Sequence, residues 1–142
     1  MKTKYLEVAR TIKDFMKKTE DSQLREFLGR TAISRTYEAA FLEIYYHITD
    51  DLNITYTQLK SIAKEYYRKK NLKIPINKHT VVGAYIAVNY GEIFGRLFEE
   101  LRQARNDVDY NLKLELFPFG IGIEEVSEYI KRTEILLDGV LK

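Results

Sequence analysis

Tyr37-Glu38-Ala39-Ala40-Phe41-Leu42-Glu43-Ile44-Tyr45-Tyr46-His47-Ile48 decides the fold class. Its apolar residues Tyr37, Ala40, Phe41, Ile44, Tyr45 and Ile48 recur at spacings of three and four, which form one stripe on an α-helix. Upstream, Asp21 and Ser22 offer an N-cap, so the spacing predicts a long helix over 22–48, with Gly29 marking a bend near its start. The same period runs before it through Tyr5, Val8, Ala9, Ile12, Phe15 and Met16. Thr49-Asp50-Asp51-Leu52-Asn53 reads as a turn, and a third helix follows over 55–70. Residues 71–77, with Pro75, read as a loop. A fourth helix over 78–108 is expected to kink around Asn89-Tyr90-Gly91. Residues 111–122 hold Pro118, Gly120 and Gly122 and cannot be regular helix. Their alternating start, Asn111-Leu112-Lys113-Leu114-Glu115-Leu116, is strand-like. No second strand candidate exists to pair with it, so it reads as an extended loop that packs its leucines on the bundle. Glu124 and Glu125 then favour a helix N-terminus, and Val126, Ile130, Thr133, Leu137 and Val140 line the last amphipathic helix. The expectation is an all-α, up-and-down bundle of five helices in a single domain, 1–142.

Composition agrees with that class and removes several chemistries. With 142 residues, 45% hydrophobic and 31% charged, the chain falls in the globular range. It contains 11 Tyr and 7 Phe but only 2 Pro and 7 Gly, a helix-friendly aromatic excess. The absence of cysteine excludes a disulfide scaffold, a thiolate zinc site and a cysteine nucleophile. Two histidines, His47 and His79, are too few for a His-rich metal cluster, so no metal and no cofactor is expected. A net charge of +2 does not by itself imply a nucleic-acid binder. The N-terminal MKTKYLEVAR lacks a signal-peptide apolar region. The apolar run from Val81 to Val88 is far short of the about 20 residues that span a membrane. A cytoplasmic protein without a membrane partner is expected.

The stretch that carries chemistry is Leu101-Arg102-Gln103-Ala104-Arg105-Asn106-Asp107-Val108-Asp109-Tyr110. On a helix, Arg102, Arg105, Asn106 and Asp109 share one face, behind Phe94, Leu97, Phe98 and Leu101, which pack inward. Two guanidiniums beside an amide and an acid can clamp a phosphate. The plainer reading of the same spacing pairs Arg105 with Asp109 across one turn, worth a few tenths of a kcal/mol.

Arg105-Asn106-Asp107-Val108-Asp109-Tyr110 resembles the Arg-Asn-x-x-Asp-Tyr end of the HEPN family, the higher eukaryote and prokaryote nucleotide-binding proteins. Ser34-Arg35-Thr36-Tyr37-Glu38-Ala39-Ala40-Phe41 is similar to that family's Ser-Arg-x-Tyr-Tyr-Ala-x-Phe helix, and Lys78-His79 matches a third block at a helix start. The order and spacing agree from about Ser22 to the last helix. The resemblance implies a helical bundle that forms a two-fold homodimer, with the Arg-bearing helices facing a shared cleft. Many relatives are metal-independent ribonucleases; others partner a small nucleotidyltransferase in toxin–antitoxin modules.

Two departures bear on function. Nuclease relatives follow the Arg with a His four to six residues on. Here Tyr110 stands five past Arg105, and no His follows anywhere. A histidine near neutral pKa can take the 2′-hydroxyl proton and return one to the leaving oxygen, whereas a phenol, with a reference value of about 10, does so poorly. Arg102 and Arg105 would still stabilise a charged phosphorane, but without a proton shuttle the catalysis is weak. Glu38 replaces the family's second Tyr and sits three residues from Arg35, the spacing of an intrahelical ion pair. His79 is the better candidate for the missing base; its plainer reading is a first-turn residue in solvent or capping a neighbour. His47 reads as a helix-end residue near a core aromatic.

Lys60, Lys64, Arg68, Lys69, Lys70, Lys73 and Lys78, interleaved with Tyr66 and Tyr67, form a basic strip suited to RNA, or a solvated helix whose tyrosines fill the core. Gly91-x-x-x-Gly95 permits close helix approach. Gly120-Ile121-Gly122 lacks the third glycine of a dinucleotide loop. Three functions follow as expectations. The first is a weakly or non-catalytic module that binds nucleotide or RNA phosphate through Arg102, Arg105, Asn106 and Asp109, beside a nucleotidyltransferase partner. The second is a metal-independent endoribonuclease in which Arg105 and Arg102 act with Tyr110 or a displaced His. The third is a structural interaction protein without a ligand.

Overall fold

The computed structural model describes residues 3–111 and 113–142; Leu112 of the alternating stretch lies outside them. Six helices follow in order: α1 (Tyr5–Lys17), α2 (Ser22–Tyr46), α3 (Tyr56–Lys69), α4 (Lys78–Tyr90), α5 (Glu92–Tyr110) and α6 (Ile123–Leu141). No strand occurs among the described residues.

Helix α2 is the axis. Asp21 caps it, its Oδ1 accepting from the N–H groups of Gln23 and Leu24 at 2.9 and 3.0 Å. Its buried residues include Ala32, Ile33, Thr36, Tyr37, Ala39, Ala40 and Ile44, which lie on several sides of the helix rather than on one stripe. A helix apolar on most of its surface belongs in the centre of a bundle, and α1, α5 and α6 all pack against it. Gly29 lies inside the continuous α2. A Cβ there would lie 2.6 Å from Ile121 Cγ2, so this glycine admits the 111–122 loop against α2.

The expected five helices become six because the long fourth segment breaks at Gly91. This residue has φ 108° and ψ 157°, a conformation essentially restricted to glycine, and it separates α4 from α5. Gly95 then lets α5 approach α4: a Cβ there would lie 2.8 Å from that of Ala87. Two further expectations are corrected. Residues 49–51 are not a turn, because α2 continues into a π-helical turn, His47–Asp51. On α1, Leu6 is buried while Val8 and Phe15 face outward.

Residues 113–122 form a loop, as their Pro and Gly residues require, with Phe117 and Ile121 buried and Leu114 packed on the core, whereas Leu116, expected to pack there too, faces outward. Asp107 organises it. This buried carboxylate accepts from Asn111 Nδ2 at 2.7 Å and from the backbone N–H groups of Glu115 and Leu116 at 3.1 and 3.2 Å. Burial pushes its pKa up, but these hydrogen bonds and the charge of Arg30 outweigh burial and hold it below the ordinary Asp value. Among the described residues no helix is long and apolar enough to cross a membrane, and no group of three His, Asp or Glu residues is placed to hold a metal.

Candidate functional site

The site forms where α2, α4 and α5 meet. On α2, Arg30, Ser34, Tyr37 and Phe41 follow at helical spacing along one face. Arg30 Nη1 donates to the carbonyls of Val108 and Asn111 at 3.2 and 2.9 Å, which satisfies the open C-terminal end of α5. Ser34 Oγ donates to Asp109 Oδ2 at 3.0 Å. One turn on, the ring of Tyr37 lies under Arg105, whose guanidinium carbon is 5.0 Å from the ring centroid. Asn77 caps α4 and presents His79 in its first turn.

The one-turn pair expected between Arg105 and Asp109 does not form, because Asp109 is taken by Ser34. Arg105 has no ion-pair partner among the described residues, and its Nε is buried without a hydrogen bond. Arg102 differs. Its Nε and Nη2 engage both oxygens of Glu99, at 2.9 and 2.5 Å, so one of the two expected clamp arginines is already satisfied. Asn106 lies half-buried beside them, with no side-chain hydrogen bond. Tyr110 is 73% exposed, its ring centroid 6.0 Å from the Arg105 guanidinium.

The residue that sequence reasoning placed least well is His79. Its ring is neither in solvent nor capping a neighbour. It is half-buried, stacked on Phe41 with centroids 4.3 Å apart, and its Nδ1 is 2.7 Å from the Tyr37 hydroxyl. Burial, then the charges of Arg105 and Arg102, push its pKa below the ordinary histidine value. Burial raises that of Tyr37 so far that the phenol stays protonated. Tyr37 is 1% exposed and, among the described residues, its hydroxyl has only His79 to donate to, so the bond runs from Tyr37 O–H to Nδ1. The neutral imidazole therefore carries its proton on Nε2, which has no protein partner among the described residues. An unpaired guanidinium and an imidazole N–H without a protein partner thus both lie against the Tyr37 ring, beside a second arginine. This is a donor set for an anion.

The other expectations separate. His47 bonds Asp51 through Nδ1 at 3.1 Å, away from this cluster. Arg35 and Glu38 form the intrahelical pair, at 2.7 Å. In the basic strip, Tyr66 and Tyr67 pack against the core, Tyr67 donating to the Thr80 carbonyl at 2.8 Å. Comparison with family models, with curated proteins and with solved structures found no match.

Proposed function

We propose that the Arg105–His79–Tyr37 cluster binds the phosphate of a nucleotide or of RNA, in a weakly or non-catalytic module. The observation that carries this is Arg105: a partly buried guanidinium with no carboxylate partner among the described residues and an unsatisfied Nε. A phosphate would supply the counter-charge that this guanidinium lacks among the described residues. His79 Nε2–H adds a second donor, and Arg102 adds charge from its place beside Glu99.

The tautomer speaks against the endoribonuclease alternative. A general base needs an unprotonated nitrogen facing the 2′-hydroxyl, and Tyr37 fixes the opposite arrangement. On this reading the resemblance also brings a two-fold dimer and a small nucleotidyltransferase partner. Tyr110, exposed in the last turn of α5, is a residue that such a dimer would cover.

Inorganic phosphate titrated into the protein and followed by NMR tests the reading. Saturable shifts centred on residues 79 and 105 are expected, with affinity at least tenfold weaker in Arg105→Ala. Loss of one charged hydrogen-bond donor, about 1.5–3 kcal/mol, supports that magnitude. Absence of any phosphate response, or an unchanged affinity in the variant, favours the structural interaction protein. Metal-free cleavage of RNA abolished by Arg105→Ala would replace binding with catalysis. Light scattering at micromolar concentration should give twice the 16.8 kDa chain mass, and a monomer removes the dimer.

A further inference from the structure

Gly83 is a helix glycine that packing does not explain. It stands in the middle of α4, where glycine weakens a helix because its backbone loses the most freedom on folding. At Gly29 and Gly95 a Cβ would collide with Ile121 and Ala87, so those two residues admit a neighbour. A Cβ at Gly83 would meet its nearest atom, in the Phe98 ring, at 3.5 Å, an ordinary contact. What the missing side chain leaves is space. Gly83 floors a cleft of about 310 Å³ between α3, α4 and α5, together with Ala87 and Gly95.

One wall of the cleft is Tyr66, Tyr67, Leu72 and Ile74. Its two rings are held in place by the protein itself. Tyr67 donates to the Thr80 carbonyl at 2.8 Å, Tyr66 donates to Glu92 at 2.9 Å, and the rings meet edge to face with centroids 5.2 Å apart. The rim carries two acids and two arginines. Glu99 holds Arg102 through both of its oxygens, and Glu92 takes Lys70 at 3.0 Å as well as the Tyr66 hydroxyl. Arg96, exposed on α5, forms no ion pair among the described residues, and its charge adds to those of Lys70 and Tyr66 only in lowering the Glu92 pKa. Each acid thus has its own cation, and the cleft is left with one surplus positive charge.

We infer that this cleft is a binding site for an aromatic monocarboxylate, its ring over Gly83 against Tyr66 and Tyr67 and its carboxylate on the Arg96 guanidinium. A flat ring fits a bare floor beside fixed aromatic edges, where ring pairs gain more than buried area alone. A single carboxylate matches a single unengaged guanidinium, with which it can form two parallel hydrogen bonds. A cationic ligand would have to displace Lys70 from Glu92 or Arg102 from Glu99. Arg105 does not line this cleft, so the inference stands apart from the anion reading of that residue.

Three probes of one shape test it: 3-phenylpropionate, its primary amide and 3-phenylpropylamine, each titrated at neutral pH by calorimetry and NMR. The acid should saturate with shifts centred on residues 67, 83 and 96, and the amide and amine should bind at least about tenfold more weakly. Arg96→Gln should bring acid and amide to the same affinity. Gly83→Leu fills the floor and should abolish binding. Gly83→Ala, whose methyl the structure accommodates, should raise the urea midpoint while weakening the acid several-fold, and it decides the point if the leucine variant does not fold. Equal affinity for the three probes overturns the inference, as does a preference for the acid that survives Arg96→Gln. Wild-type affinity in the folded Gly83 variants, or no binding of 3-phenylpropionate at millimolar concentration, overturns it too.

Discussion

At the scale of single residues, the site turns on which nitrogen of His79 carries the proton. Burial and two arginines disfavour the imidazolium, so the folded chain resists protonation at this ring until the pH is below the ordinary histidine value of 6.5. In the unfolded chain the ring takes up a proton near that value. Below it the unfolded state binds more protons than the folded state, so stability falls as pH falls and is restored as pH rises through this window. His79→Asn keeps an acceptor for the Tyr37 hydroxyl but does not titrate. Urea denaturation of both proteins at about pH 8 and about pH 5 should show the wild type losing more stability than the variant on acidification. A parallel loss in the two would mean that His79 titrates in the fold as it does in the unfolded chain.

At the scale of elements, much of the bundle was legible because helix signals are local. The Asp21 cap, the Pro75 loop, the Val126-to-Val140 stripe and the helical face of Arg102 and Arg105 need only spacing. Other features depended on neighbours far away in the chain. His79 reaches Tyr37 across 42 residues, and that contact follows from how α4 crosses α2. Asp107 carries no spacing signal of its own, because the loop that it organises lies ahead of it in sequence. The pairing of Arg102 with Glu99, three residues before it, needs only helical spacing and was legible in the sequence. Gly91 was marked as a kink, although it is a full break. No atom lies within 4 Å of where a Cβ would stand at Gly91, so substitution there reports backbone strain alone. Gly91→Ala should cost about 1–3 kcal/mol by chemical denaturation, the range for a non-glycine residue held in this region. A cost below about 0.5 kcal/mol would mean that α4 and α5 can join without it.

At the scale of the molecule, the helices are anchored unequally. Helix α2 is enclosed by α1, α5 and α6, while α3 packs principally on α4. Two buried residues, Leu59 and Ala63, tie α3 to the core, and its C-terminal half presents Tyr66 and Tyr67 to the α3–α4–α5 cleft. Few buried contacts give a low free energy of local opening, so α3 should exchange its amide hydrogens through sub-global opening while α2 exchanges only on global unfolding. A phosphate held at Arg105 touches no residue of α3, so it stabilises the body that α3 packs on by RT ln(1 + [L]/Kd) and leaves the local opening of α3 as it was. At a phosphate concentration of about 100 Kd, that is about 2.7 kcal/mol. Inorganic phosphate should therefore slow exchange across α4 and α5 and leave α3 unchanged. Protection of α3 that rises as much as that of α5 would mean that α3 opens only with the rest of the bundle.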